Sequence, residues 1–242
     1  RALPTSWRCG DRVHIGIGIK TTRRIGGGGA AFTPATLFAS GEPGDEWNFW
    51  RDFCFTRSAG GIYENVTTTG DEIARVKGRW NNINLDQLTV PSRPIYNESG
   101  SIGWGFFDGL DNGMSTASID FTTTDQMSVF VGASKATDSN GKVMVELSGS
   151  APTNNGTFAI YAGNNPSANG PHWNLVGRKT AATVFAETPP TYAAPITNVL
   201  RGAIDFNTNA QLFVDGVPIA ASTSFPVGAD TFGNYPLYVG RR

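Results

Sequence analysis

The sequence predicts an all-β protein, an antiparallel β-sandwich, and three observations carry that expectation. The strongest apolar segments alternate with period two rather than 3.6. They are short, and Gly, Asn, Ser and Asp separate them. The 242 residues include 30 glycines and 14 prolines, more than an ordinary chain but fewer than a low-complexity one, so many turns are expected within one large domain.

The elements follow in chain order. Residues 1–30 read as a basic arm and glycine hinge. Arg1, Arg8, Arg12, Lys20, Arg23 and Arg24 face only Asp11 as a countercharge, and the run Gly26 to Gly29 holds no regular structure cheaply. The arm is either a docking segment or a solvated tail or remnant of a preceding domain, and the latter readings are preferred. The start has neither an initiator Met nor the apolar run of a signal peptide, and is expected to be a cut end. Residues 31–242 form the sandwich domain. Near Asp71 to Lys77 a helical turn is expected. Strands are expected at Met127 to Val131, Lys142 to Leu147, Gly156 to Tyr161, Trp173 to Val176, Ala182 to Ala186, Val199 to Phe206, Gln211 to Val214, Val217 to Ala220 and Pro236 to Val239. Asp215-Gly216 between two apolar runs is the signal for a two-residue hairpin of type I′, and Pro218 marks the following strand as a sheet edge.

Composition narrows the function. Charged residues are 16% of the chain, 19 basic against 20 acidic, so no global field draws nucleic acid, and none is expected as a partner. No apolar run approaches the roughly 20 residues that cross a bilayer, and no membrane insertion is expected. Cys9 and Cys54 are too few for a disulfide scaffold and lack C-x-x-C spacing, and their pairing is left open.

Motifs for catalysis are missing. A glycoside hydrolase of this architecture needs paired carboxylates, and no Glu-x-Asp-x-Glu run occurs. Glu146 alternates with Val145 and Leu147 and is expected on the solvent face. Gly-x-Ser-x-Gly, His-Glu-x-x-His and the phosphate-loop pattern are also absent from the sequence, which predicts no enzyme and no cofactor. His14 and His172 have no acidic or thiol neighbour at ligand spacing. Asp108 and Asp111 in Asp108-Gly109-Leu110-Asp111-Asn112-Gly113 suit either a calcium ion or a tight turn; the turn is preferred because no EF-hand pattern follows.

Aromatic side chains beside amides are the remaining resource. Trp80 in Lys77-Gly78-Arg79-Trp80-Asn81, and Trp173 after Asn164 and Asn165, are candidates for stacking on sugar rings, with Asn154, Asn164 and Asn165 bonding hydroxyls. Core packing is the competing reading for both. For Trp47, Trp50 and Trp104, set among phenylalanines, core is preferred.

Val199 to Ile204, the hairpin through Asp215-Gly216 and Leu237-Tyr238-Val239-Gly240 resemble the closing strands of a concanavalin A-like or laminin-G-like jelly roll. Pro34 to Gly44 with Ser92-Arg93-Pro94, and Trp104 to Asp111, resemble segments of tailed-bacteriophage structural proteins that carry this jelly roll. The resemblance spans about Phe32 to Arg242. It implies a non-enzymatic virion protein, assembled in the host cytoplasm and displayed on a tail fibre, baseplate or head. Its implied partners are other virion subunits, further copies of itself and host-surface glycan. A purely architectural subunit is the rival expectation, and a polysaccharide depolymerase is disfavoured by the missing carboxylate pair. Family members add a strand after Leu-Tyr-Val-Gly, which a partner chain or tail would supply here, and the stretch Lys77 to Asn81 is more basic and aromatic than theirs.

Overall fold

The alternation expected of Met127 to Val131 is realised in a computed structural model that describes residues 14–18, 38, 43–138, 142–149, 154–164, 168–180, 182–222, 224–226 and 230–240. Met127, Val129, Val131 and Ala133 are buried while the residues between them are partly exposed, which is the signature of a strand with one face on a core. In chain order the described strands are β1 (His14–Gly18), β2 (Glu46–Trp47), β3 (Cys54–Arg57), β4 (Tyr63–Asn65), β5 (Arg75–Val76), β6 (Leu85–Asp86), β7 (Ile95–Ser99), β8 (Ile102–Phe106), β9 (Met114–Ser115) and β10 (Ile119–Asp120). There follow β11 (Gln126–Lys135), β12 (Lys142–Leu147), β13 (Thr157–Asn164), β14 (Ala168–Lys179), β15 (Ala182–Glu187), β16 (Ile196–Asp205), β17 (Ala210–Val214), β18 (Val217–Ala221), β19 (Asn234–Tyr235) and β20 (Leu237–Val239).

These strands build a six-stranded sheet in the order β18-β17-β16-β11-β1-β2 and a ten-stranded sheet in the order β15-β14-β13-β12-β20-β9-β6-β5-β3-β4. The pairs β10-β19 and β7-β8 stand apart. The two large sheets pack face to face as a β-sandwich. A Cβ at Gly202 on β16 would lie 2.8 Å from the Leu175 side chain on β14 and 3.3 Å from that of Ile160 on β13, so glycine lets the facing sheets close to contact there. Val129, Val131, Leu200 and Leu212 from one sheet meet Leu147, Phe158, Ile160 and Leu175 from the other in one buried cluster. Each such side chain contributes about 1.5–3 kcal/mol by leaving water.

Pairing register shows which face each residue of the larger sheet serves. One transverse row runs Phe55, Arg75, Asp86, Ser115, Tyr238, Glu146, Ala159, Val176, Phe185. Paired residues of an antiparallel ladder point the same way, so this row lines the face turned away from the core. Glu146 belongs to it yet is buried, which corrects the expectation of solvent exposure. Val145 and Glu146 are both covered, because a central strand of this wide sheet is shielded on both sides, and the Ser148 hydroxyl donates to Glu146 Oε1 at 2.7 Å.

The hairpin is as expected. Val214 pairs with Val217, Asp215 and Gly216 have φ of 50° and 83°, and β18 with its Pro218 is an edge strand. The helical turn expected near residues 71–77 is absent: Arg75–Val76 is β5, paired on both sides, since an isolated turn without an apolar helical stripe yields to sheet pairing. His172, read in a loop, is in strand β14. Within the stretch read as arm, His14–Gly18 forms β1 between β11 and β2, and Cys9 lies outside the described residues. Cys54 is a free, buried thiol whose pKa burial drives far up, leaving it unreactive.

Candidate functional site

Two adjacent acids organise the best-defined surface feature. Asp45 is fully buried and its carboxylate accepts from four backbone N–H groups, those of Glu46 (2.8 Å), Trp80 (2.7 Å), Asn81 (3.0 Å) and Ile83 (3.0 Å). One side chain therefore folds the loop from Gly78 to Ile83 around itself. Gly78 is required there, since a Cβ would stand 2.2 Å from Asp45 Oδ2 and 2.3 Å from the Ile83 carbonyl. The buried Trp47 adds a bond from Nε1 to the Ile83 carbonyl at 2.6 Å, and Arg79 N–H donates to the Glu46 carbonyl at 3.1 Å.

Glu46 fixes the side chains above. Its Oε2 accepts from Trp80 Nε1 at 2.8 Å, and its Oε1 from Asn48 at 2.7 Å and from Arg79 at 3.4 Å. The Arg79 guanidinium carbon stands 4.9 Å from the centre of the Trp80 ring and 6.0 Å from that of Trp50. Trp80 is partly exposed and Trp50 is 44% exposed, so two indoles flank one guanidinium at the surface. Beneath Trp50, the hairpin β7-β8 approaches closely enough that a Cβ at Gly103 would be 2.1 Å from the Phe49 carbonyl. Arg51 pairs with Glu98 of this hairpin, and the Tyr96 hydroxyl donates to Glu98 at 2.9 Å. Burial, helped by that bond, pushes Tyr96 up to about 12, so it stays protonated as a donor. The result is a pre-set aromatic face with the Arg79 guanidinium between its two indoles.

The residues expected from sequence fall in several places. Trp80 is on this face. Trp173 is not a surface residue: it is fully buried between the sheets, its Nε1 donates to Asn198 Oδ1 of β16 at 3.0 Å, and the Lys135 ammonium lies 5.0 Å from its ring centre. Its place as a sugar-stacking residue is therefore corrected, because strand alternation in β14 turns Trp173 and Leu175 inward. Asn154 precedes β13 and Asn164 ends it, so about 25 Å of strand separates the two positions. Asn154 takes a bond from the Thr157 hydroxyl at its carbonyl, 3.2 Å away. Asn165 lies outside the described residues. Asp108 caps its own turn, with Oδ1 accepting from the backbone of Leu110 (2.8 Å), Asp111 (3.2 Å) and Asn112 (3.2 Å). Burial raises its pKa, but these N–H groups together outweigh that and hold the carboxyl below its usual range. No group of three or more His, Cys, Asp or Glu side chains able to hold a metal occurs among the described residues.

Sequence reasoning missed Trp50, Arg79 and the acids beneath them. Trp50 reads as a core residue beside Trp47 in the sequence but is 44% exposed, and only the unusual stretch Lys77 to Asn81 points toward this surface. No protein-family model matches the chain, and no curated protein matches it.

Proposed function

We propose that the chain is a non-enzymatic jelly-roll module of a bacteriophage virion and that its Trp50–Arg79–Trp80 face binds host-surface glycan. The observation carrying this reading is the pair of partly exposed indoles held beside Arg79 on a loop that Asp45 locks. Ring faces of this kind take the C–H surface of a pyranose, and the guanidinium bonds its hydroxyls. Asp45 and Glu46 accept hydrogen bonds here and serve as scaffold rather than as an acid and base pair. Affinity per copy is millimolar to micromolar, and many copies on a particle supply avidity.

A glycan array probed with multimerised protein tests the reading. Wild type binds, and Trp50→Ala and Arg79→Ala lose binding while retaining the wild-type melting temperature. An array on which wild type binds no glycan, or on which both variants bind as wild type does, overturns it.

The architectural reading rests on a different observation. The loops around residues 87–93 and 108–113 are stitched together by Gln87 to the Gly113 carbonyl (2.6 Å) and Asn112 to the Arg93 carbonyl (3.0 Å). They present Leu88, Val90 and Leu110, the last 80% exposed, as apolar contacts suited to a neighbouring subunit.

A further inference from the structure

A sheet edge without protection is a template for another strand, and folds usually blunt such edges with proline, a bulge, a lysine or shortness. The four edges of the two large sheets differ in this respect. β18 carries Pro218 and a register shift between Leu212 and Phe213, while β4 and β2 have three and two residues. β15, the outer strand of the ten-stranded sheet, has six residues, no proline, no lysine and unbroken register against β14 from Lys179↔Ala182 to Asn174↔Glu187.

The direction of its backbone groups follows from one bond. Thr188 N–H donates to the Trp173 carbonyl at 3.0 Å, so the main chain at residue 188 faces β14. Alternation turns Ala186, Val184 and Ala182 the same way and leaves the N–H and C=O groups of Thr183, Phe185 and Glu187 pointing outward from the edge. The side chains of these three lie on the face turned away from the core, where Phe185 is 37% exposed. The three outward residues are centred on an apolar one, Phe185, with an uncharged residue at one end and an acid at the other.

We propose that Ala182–Glu187 is a self-association edge, at which a second copy of this chain adds its own Ala182–Glu187 antiparallel about a two-fold axis through Phe185. Phe185 then pairs with Phe185 of the partner subunit, exchanging both main-chain hydrogen bonds, and the rings meet side by side. Thr183 lies opposite Glu187 of the partner subunit, so no like charges face each other. The isologous geometry is the usual one for a homodimer, and the ten-stranded sheet becomes continuous across it. This inference is independent of the glycan reading.

Sedimentation velocity of the full chain tests it with three variants. Phe185→Pro deletes an N–H that β14 does not use, so the fold is retained while the edge is lost. Wild type shows a concentration-dependent dimer and Phe185→Pro a monomer. Thr183→Glu places a like charge opposite Glu187 at two symmetric positions and raises the dimer dissociation constant roughly tenfold, whereas Thr183→Lys lowers it. The Thr183 pair decides the matter alone if Phe185→Pro fails to fold. A wild type that is monomeric throughout, including one that takes only a foreign peptide strand at this edge, overturns the proposal. So does a dimer indifferent to the charge of residue 183.

Discussion

Asp45 shows how much one buried carboxylate does when it has backbone donors to accept from. It has four, and the loop carrying Arg79 and Trp80 exists because of them. Gly78→Ala forces a methyl group into that carboxylate and the Ile83 carbonyl, and we expect a loss of about 1–3 kcal/mol in urea unfolding, of the size that overpacking costs elsewhere. Trp173 makes the opposite point about exposure. Trp173→Ala should cost about 3–5 kcal/mol as an unfilled core site. Trp173→Phe fills most of the volume but leaves Asn198 Oδ1 without its donor, for about 1–3 kcal/mol, and thermal melts of the two variants check the order. Asp71 supplies a pH test. The backbone N–H groups of Thr67 and Thr68, then their hydroxyls, hold its carboxyl below the usual range. A depressed folded-state pKa contributes stability above the unfolded value of about 3.9 and loses it as pH falls through the folded value. The melting-temperature gap between wild type and Asp71→Asn should therefore be full at pH 6 and shrink below about pH 4. A gap constant with pH would mean that the charge at Asp71 does not contribute.

At the scale of elements, the hairpin is both the most legible and the most useful. Asp-Gly announced the turn, and the two positive φ values follow. Its further role was not legible: Asp215 Oδ2 accepts from Asn198 at 2.7 Å and Oδ1 from Val199 N–H at 2.7 Å, and Asn198 in turn holds Trp173. Gly216→Val strains the turn by about 1–3 kcal/mol. Asp215→Ala should lower the melting temperature as well, through Asn198, and a double variant with Trp173→Phe should be less destabilised than the sum of its parts because the three share one chain of bonds. The ten-residue strands β11 and β16 were readable because alternation over that length separates two faces, and β12 because its apolar run is bounded by turn residues. β5, β6 and β9 were not, since two residues carry no period and their pairing is decided by neighbours far off in sequence. The misplacing of Trp173 has a specific cause. Gly170-Pro171 read as loop punctuation, although β14 runs through both, and once the strand is recognised parity alone turns Trp173 inward. Of the Trp50–Arg79–Trp80 face only Trp80 is legible in the sequence, because the face joins residues some thirty positions apart through hydrogen bonds rather than through a motif.

The whole molecule is a β-sandwich whose net charge is −1, so recognition depends on local surfaces rather than on a long-range field. Two such surfaces carry the proposed contacts, the indole–guanidinium face and the β15 edge. The first is carried by the segments just before β3 and just after β5, near one end of the ten-stranded sheet, and β15 is the other end, so association through that edge leaves the indoles free. The proposed glycan site is the face built on Asp45 and Glu46. Nitrogen-15 spectra read it directly, since each of the six tryptophans gives its own indole N–H signal. On titration with polysaccharide from host cells, the signals of Trp50 and Trp80 should shift together and saturate, while those of the buried Trp47 and Trp173 stay in place. Shifts confined to other tryptophans, or none at any polysaccharide concentration, would contradict it.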